Sequence, residues 1–118
     1  MVSYDVRHDL GEYYTPDWLA EYMVRQKMDL NADDMILDPG CGSGTFLVEA
    51  LQLKIKESDD DPEQLIARSP KEVVGFDIHP LAVMIAKANY VAAIRDLLQY
   101  RRERVQLPVY LADSVLFD

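Results

Sequence analysis

Asp38-Pro39-Gly40-Cys41-Gly42-Ser43-Gly44-Thr45-Phe46-Leu47 places three of the chain's five glycines within five positions. Before it stands Met35-Ile36-Leu37, a short apolar run stopped by Asp38-Pro39-Gly40, which reads as a buried strand. After it, Thr45 to about Glu57 reads as a helix, with Phe46, Val48, Leu51 and Ile55 available for packing. Glycines between a strand and a helix allow positive φ and let the backbone pass close to a ligand. The helix start adds unpaired N–H groups facing the same loop. Three glycines and an aspartate at a strand's end point to a ligand cradle more than to a mere tight turn.

Outward from this loop, helix and strand alternate. Thr15-Pro16-Asp17 opens a helix to about Met28, with Thr15 as cap, Pro16 at the first position, and Leu19, Met23 and Tyr22 sharing a face. Leu65 to Arg68 reads as one further helical turn, ended before Pro70. Glu72 to Asp77 reads as a second buried strand, and Pro80 to about Tyr100 as the longest helix. That helix carries Leu81, Ile85, Ala88, Val91, Ala92 and Leu98 mostly at three- and four-residue spacing. Val105 to Ala112 reads as a third strand, placed at an edge by Pro108. The alternation predicts a parallel α/β sheet with right-handed crossovers.

Composition bounds the function. With 118 residues, 49% of them hydrophobic, the chain has the size and make-up of one small globular domain. A net charge of −9 argues against gripping phosphate backbones by itself, since that rests on Lys and Arg. About half of the imbalance lies in Glu57, Asp59, Asp60, Asp61 and Glu63, a stretch that reads as a solvated loop. The single cysteine, Cys41, excludes an intrachain disulfide and points to a reducing, cytoplasmic setting. No apolar run approaches the roughly 20 residues of a membrane span, and the charged N-terminus does not read as a secretory signal.

Two familiar glycine motifs fail on position. A dinucleotide fingerprint starting at Gly40 needs a third glycine where Thr45 stands. A phosphate-binding P-loop needs a lysine, and none occurs between Lys27 and Lys54. Asp77 ends the second strand, where an acid accepts hydrogen bonds from ribose hydroxyls in nucleotide-type sites. It follows Gly44 by 33 positions, against about 20 after the glycines in that pattern. The acidic stretch then reads as a surface insertion. Alone, Asp77 would serve equally as a helix-capping acid.

Asp38-Pro39-Gly40-Cys41-Gly42-Ser43-Gly44-Thr45-Phe46-Leu47 resembles the S-adenosylmethionine-binding first motif of the DNA adenine-N6 methyltransferases, in the form shared by type I modification subunits and fused restriction–modification enzymes. Gly11-Glu12-Tyr13-Tyr14-Thr15-Pro16 resembles the element that precedes the first strand in this family. Gly75-Phe76-Asp77-Ile78-His79-Pro80-Leu81-Ala82 resembles the second motif, and Ala112-Asp113-Ser114 the third. The resemblance implies a Rossmann-like class I methyltransferase fold, represented here by its first three strands with flanking helices and an N-terminal lid helix. It implies that Asp38, Pro39, Gly40, Gly42 and Gly44 line the methionine side of the cofactor, covered by Tyr14, Thr15 and Pro16. Asp77 with Ile78 would take the ribose region, and Asp113 with Ser114 the adenine. His79 stands where the family commonly has asparagine and is expected to cap the long helix. His8 is expected at the surface, and Cys41 packed inside the loop, since the family mechanism uses no cysteine nucleophile.

One element is missing. Adenine-N6 enzymes carry Asn/Asp-Pro-Pro-Tyr/Phe, which holds the flipped base, yet all six prolines here are single. The expectation is therefore a cofactor-binding portion, a fragment or subunit of a DNA methyltransferase, inactive alone and meeting DNA through other regions or subunits. A protein or RNA methyltransferase fragment, or a non-catalytic module acting through a partner, stays open. A fourth strand normally pairs with the first, so the exposed first-strand edge is expected to promote self-association.

Overall fold

Gly44, at φ 86° and ψ 18°, turns the chain into the helix Thr45–Glu57, whose bounds agree with the sequence expectation. The computed structural model describes residues 31–112. The expected helix from Thr15 to Met28, His8, and the expected site residues Tyr14, Thr15, Pro16, Asp113 and Ser114 lie outside the described residues. Within them the order is β1 (Ile36–Asp38), α1 (Thr45–Glu57), α2 (Pro62–Glu72), β2 (Val73–Asp77), α3 (Pro80–Ile94), a 3-10 turn (Arg95–Tyr100) and β3 (Val109–Leu111). The strands form one parallel sheet in the order β1-β2-β3. Ile36 pairs with Val73, Asp38 with Gly75, and Asp77 with Leu111, so Asp38 and Asp77 stand at neighbouring carboxyl ends. The alternation expected from the sequence is thus a parallel α/β sheet with its strands in chain order. Among the described residues no helix is long and apolar enough to cross a membrane.

Leu47 and Leu51 of α1, Leu65 and Ile66 of α2, Val73 of β2, Tyr90 and Ile94 of α3 and Val109 of β3 form the core. A buried lysine completes it. Lys54 is fully buried, and its Nζ donates to the carbonyls of Ala32 (2.7 Å) and Asp34 (2.6 Å) and to Glu72 Oε1 (2.8 Å). Burying an ammonium is tolerable only with such pairing, and this one ties the segment before β1 to α1 and to the end of α2.

Several expectations are corrected. β1 is not buried: Met35 is 77% and Leu37 63% exposed, because among the described residues β1 lies at the sheet edge. Of the four α1 residues expected to pack, only Leu51 is fully buried, while Leu47, Ala50 and Leu53 take the other inward places. α2 is a full helix of 11 residues that continues past Pro70. Its start is strong: Asp61 Oδ1 accepts from the Gln64 N–H (2.9 Å) and Gln64 Oε1 from the Asp61 N–H (3.4 Å), a capping box followed by Pro62. The acidic stretch is thus no passive loop. Asp61 caps α2, Asp60 pairs with Arg68 (3.1 Å) and Glu63 pairs with Arg102.

α3 ends at Ile94, short of Tyr100. Its expected packing stripe faces outward: Leu81 is 53% and Ile85 40% exposed, while Ala82, Val83, Ala86, Tyr90 and Ile94 face the core. Lys87 is the only charged residue of this helix, so apolar spacing alone could not choose a face. The Tyr90 hydroxyl, donating to the Val73 carbonyl (2.8 Å), fixes the rotation. β3 is shorter than expected and begins just after Pro108, whose carbonyl accepts from the Gly75 N–H (2.9 Å).

Candidate functional site

The glycine loop crosses the carboxyl ends of β1 and β2, and long-range hydrogen bonds set its path. The Cys41 N–H donates to the Phe76 carbonyl (2.8 Å), joining the loop to β2. The Gly42 N–H donates to Asp77 Oδ2 (2.9 Å) across 35 residues. Asn89 of α3 donates from Nδ2 to the Ser43 carbonyl (2.9 Å). The Gly40 N–H donates to Asp38 Oδ1 (3.2 Å), and the Gly44 N–H to the Cys41 carbonyl (2.9 Å).

Gly42 and Gly44 have positive φ, 54° and 86°. That conformation is why glycine stands at both. At Gly44 a Cβ would also lie 3.1 Å from the Ala86 Cβ, so α1 and α3 approach as closely as this residue permits. Gly75 plays the complementary part from β2: a Cβ there would meet Leu47 Cδ1 at 2.6 Å and Cys41 Cβ at 3.0 Å.

Asp77 is 1% exposed and serves two backbone donors. Its Oδ2 takes the Gly42 N–H and its Oδ1 the His79 N–H (2.9 Å). It therefore fastens the loop to the start of α3, a role wider than that of a helix cap. His79 occupies the N-cap position through its backbone, and its side chain makes no capping bond. Ile78, beside it, is 48% exposed and open to a ligand.

The electrostatics are acidic. Burial raises the Asp38 carboxyl above its ordinary value of 3.8, the Gly40 N–H opposes the rise, and the charge of Asp77 adds to it. Cys41 is buried, and burial followed by the charges of Asp38 and Asp77 lifts its thiol from 9.0 to about 12. A thiol so protonated is a packing group, in keeping with the sequence reading.

The structure brings Asp38, Pro39, Gly40, Gly42, Gly44, Asp77 and Ile78 to one end of the sheet. Asn89 and Gly75 also belong to this assembly; the sequence reading quoted Gly75 within the second motif without a role and passed over Asn89. An isolated glycine within a strand is a signal of close backbone approach. Asn89 gave no comparable signal.

The N-6 DNA methylase family profile matches residues 3–104. The chain is 33% identical over 81 residues to the type I restriction enzyme MjaIX methylase subunit of Methanocaldococcus jannaschii, covering 69% of this chain and 13% of that protein. It is 28% identical over 82 residues to the type II restriction enzyme and methyltransferase RM.BcgI of Heyndrickxia coagulans, covering 70% and 13%. The chain thus spans about an eighth of the length of these relatives. Among solved structures, a nuclease-deletion mutant of the type ISP restriction–modification enzyme LlaGI, in complex with a DNA substrate mimic, aligns with a TM-score of 0.65 at 23% identity, covering 86% of this chain and 9% of that one. The DrdV–DNA complex aligns with a TM-score of 0.60 at 23% identity, covering 89% and 11%. A profile match over 102 consecutive positions, on a fold of the same kind, means that the chain belongs to the N-6 DNA methylase family of adenine-specific DNA methyltransferases.

Proposed function

We propose that the loop end of this sheet binds S-adenosylmethionine and that the chain is the cofactor-binding portion of an enzyme that methylates adenine N6 in DNA. The observation that carries the reading is the joint placement of Asp38, Asp77 and the positive-φ glycines of the loop at the carboxyl ends of β1 and β2. Ligands of open α/β sheets bind at that end.

The donor set fits the ligand. Bound there, S-adenosylmethionine would supply a methyl group on a cationic sulfonium, which two carboxylates favour and a basic cleft would not. Asp38, Pro39, Gly40, Gly42 and Gly44 would hold the methionine part, with Tyr14, Thr15 and Pro16 closing over it. Asp77 and Ile78 would meet the ribose, and Asp113 and Ser114 the adenine. A carboxylate offers about four lone-pair directions, and two of Asp77's are taken by backbone donors. Because Asp77 is buried, ribose hydroxyls reach the remaining ones only when the loop gives way locally.

Catalytic groups for the target base, and the DNA-gripping surface, are assigned to other regions or subunits. A cytoplasmic setting accords with this role. The exposed edge at Met35 and Leu37 supports self-association of the chain alone. Isothermal titration with S-adenosylhomocysteine tests the central assignment. A folded chain that shows no heat of binding refutes it.

A further inference from the structure

A recess lined by none of the glycine-loop residues lies beside α2 and owes nothing to the cofactor reading. α2 and the segment 101–106 enclose a cavity of about 640 Å³ beside β3, within the roughly 300–1,000 Å³ range of specific ligand sites. Its apolar floor includes Val74, Val105 and Tyr110, and its rim sets the four cations Lys71, Arg101, Arg102 and Arg104 against the two acids Glu63 and Glu103, leaving it cationic. Glu63 holds Arg102, and Arg101 donates from Nη1 to the Leu98 carbonyl (2.6 Å). Lys71 and Arg104 have no ion pair among the described residues, and both are exposed. In a chain of net charge −9, this gathers four of its 12 cationic side chains around one groove.

We infer that this groove docks an acidic, extended polypeptide segment of a partner protein. Charge complementarity selects an anionic occupant, and the apolar floor selects one with hydrophobic side chains between its acids. The free edge supplies the backbone register: among the described residues β3 pairs only with β2. Later strands of a doubly wound sheet add beside β1, which leaves the β3 edge available. Duplex DNA fits less well, since a phosphate backbone offers no apolar groups to the floor of Val74, Val105 and Tyr110.

The test uses the whole chain and a fluorescein-labelled decapeptide of alternating glutamate and valine, titrated by anisotropy in low salt. Saturable micromolar binding is expected, weakened about tenfold or more by the double substitution Lys71→Glu, Arg104→Glu. S-adenosylhomocysteine binding should stay unchanged in that variant, which separates this inference from the cofactor assignment and shows that the variant folds. Three results would overturn it: no saturable binding, equal binding by the double variant, or displacement of the peptide by a mixed-sequence duplex. Equal binding of a lysine–valine decapeptide would do the same.

Discussion

Replacing Asp77 by asparagine removes one acceptor and one charge while keeping shape. In the native chain both carboxylate oxygens are in use, Oδ2 by the Gly42 N–H and Oδ1 by the His79 N–H, each at 2.9 Å. An asparagine amide has one oxygen, and its NH2 cannot accept from an N–H. Whichever way it is flipped, one backbone donor loses its partner. The site is 1% exposed, so water does not readily substitute. A buried donor left unsatisfied costs about 1–3 kcal/mol, and the lost acceptor was charged. Relief of the repulsion between Asp77 and Asp38 returns part of this. A net loss of about 2 kcal/mol lowers the thermal midpoint of a domain this size by about 8 °C. Calorimetry measures the midpoint, and amide hydrogen exchange reads Gly42 directly. Two companion signs are expected: faster exchange at Gly42 or His79, and a lower titration midpoint for Asp38. An Asp77→Asn chain with unchanged midpoint and unchanged Gly42 protection would show that the carboxylate does not fasten the loop.

Four further outcomes are expected. Gly75→Ala should cost about 1–3 kcal/mol by urea unfolding, because the new Cβ meets Leu47 at 2.6 Å and pushes on Cys41 beneath the loop; it should also weaken S-adenosylhomocysteine binding. Lys54→Met strands the Asp34 carbonyl and leaves Ala32 and Glu72 to Arg68 alone, a loss of about 1–3 kcal/mol visible in the urea midpoint. Asp38→Asn should leave the free chain as stable or more stable, while weakening cofactor binding. The sign follows from the raised Asp38 pKa: the folded state holds the proton more tightly, so the ionised group costs stability at neutral pH, and that cost is relieved as pH falls through its folded value toward 3.8. Unfolding free energies of the native chain and of Asp38→Asn, compared from pH 7 to pH 4, check this. Cys41 should resist iodoacetamide at pH 8 in the folded chain and react promptly in urea, since its thiol titrates at about 12 and is buried.

Much of the site was legible because it rests on short-range necessities. A strand, positive-φ glycines and a helix start must follow one another to make a loop that a ligand can approach. Asp77 was legible by its place at a strand's end. Its partnership with Gly42 was not, because it spans 35 residues and depends on the register of β1 against β2. α2 was mistaken for a single turn because Pro70 reads as a stop. Here the proline sits in the last turn, two residues before the helix ends, and the Asp61–Gln64 capping box and the burial of Leu65, Ile66 and Ser69 outweigh it. The charge run from Glu57 to Glu63 hid that cap, since composition says nothing about which acid among several faces a helix terminus. The buried face of α3 was illegible for the opposite reason. Apolar residues surround that helix, and the choice fell to a hydroxyl, Tyr90, reaching a strand carbonyl.

The hydrogen bonds that support the loop come from β2 and α3, 35 to 46 residues further along the chain. The ten-residue stretch Asp38–Leu47 therefore cannot be transplanted as a working cassette. Grafted onto another strand and helix it would bring its glycines and its aspartate, but not Asp77, Asn89 or the small Ala86 beneath Gly44. A shape borrowed from distant neighbours matures only when the last of them is in place, so during synthesis the cradle would be complete only after α3 leaves the ribosome.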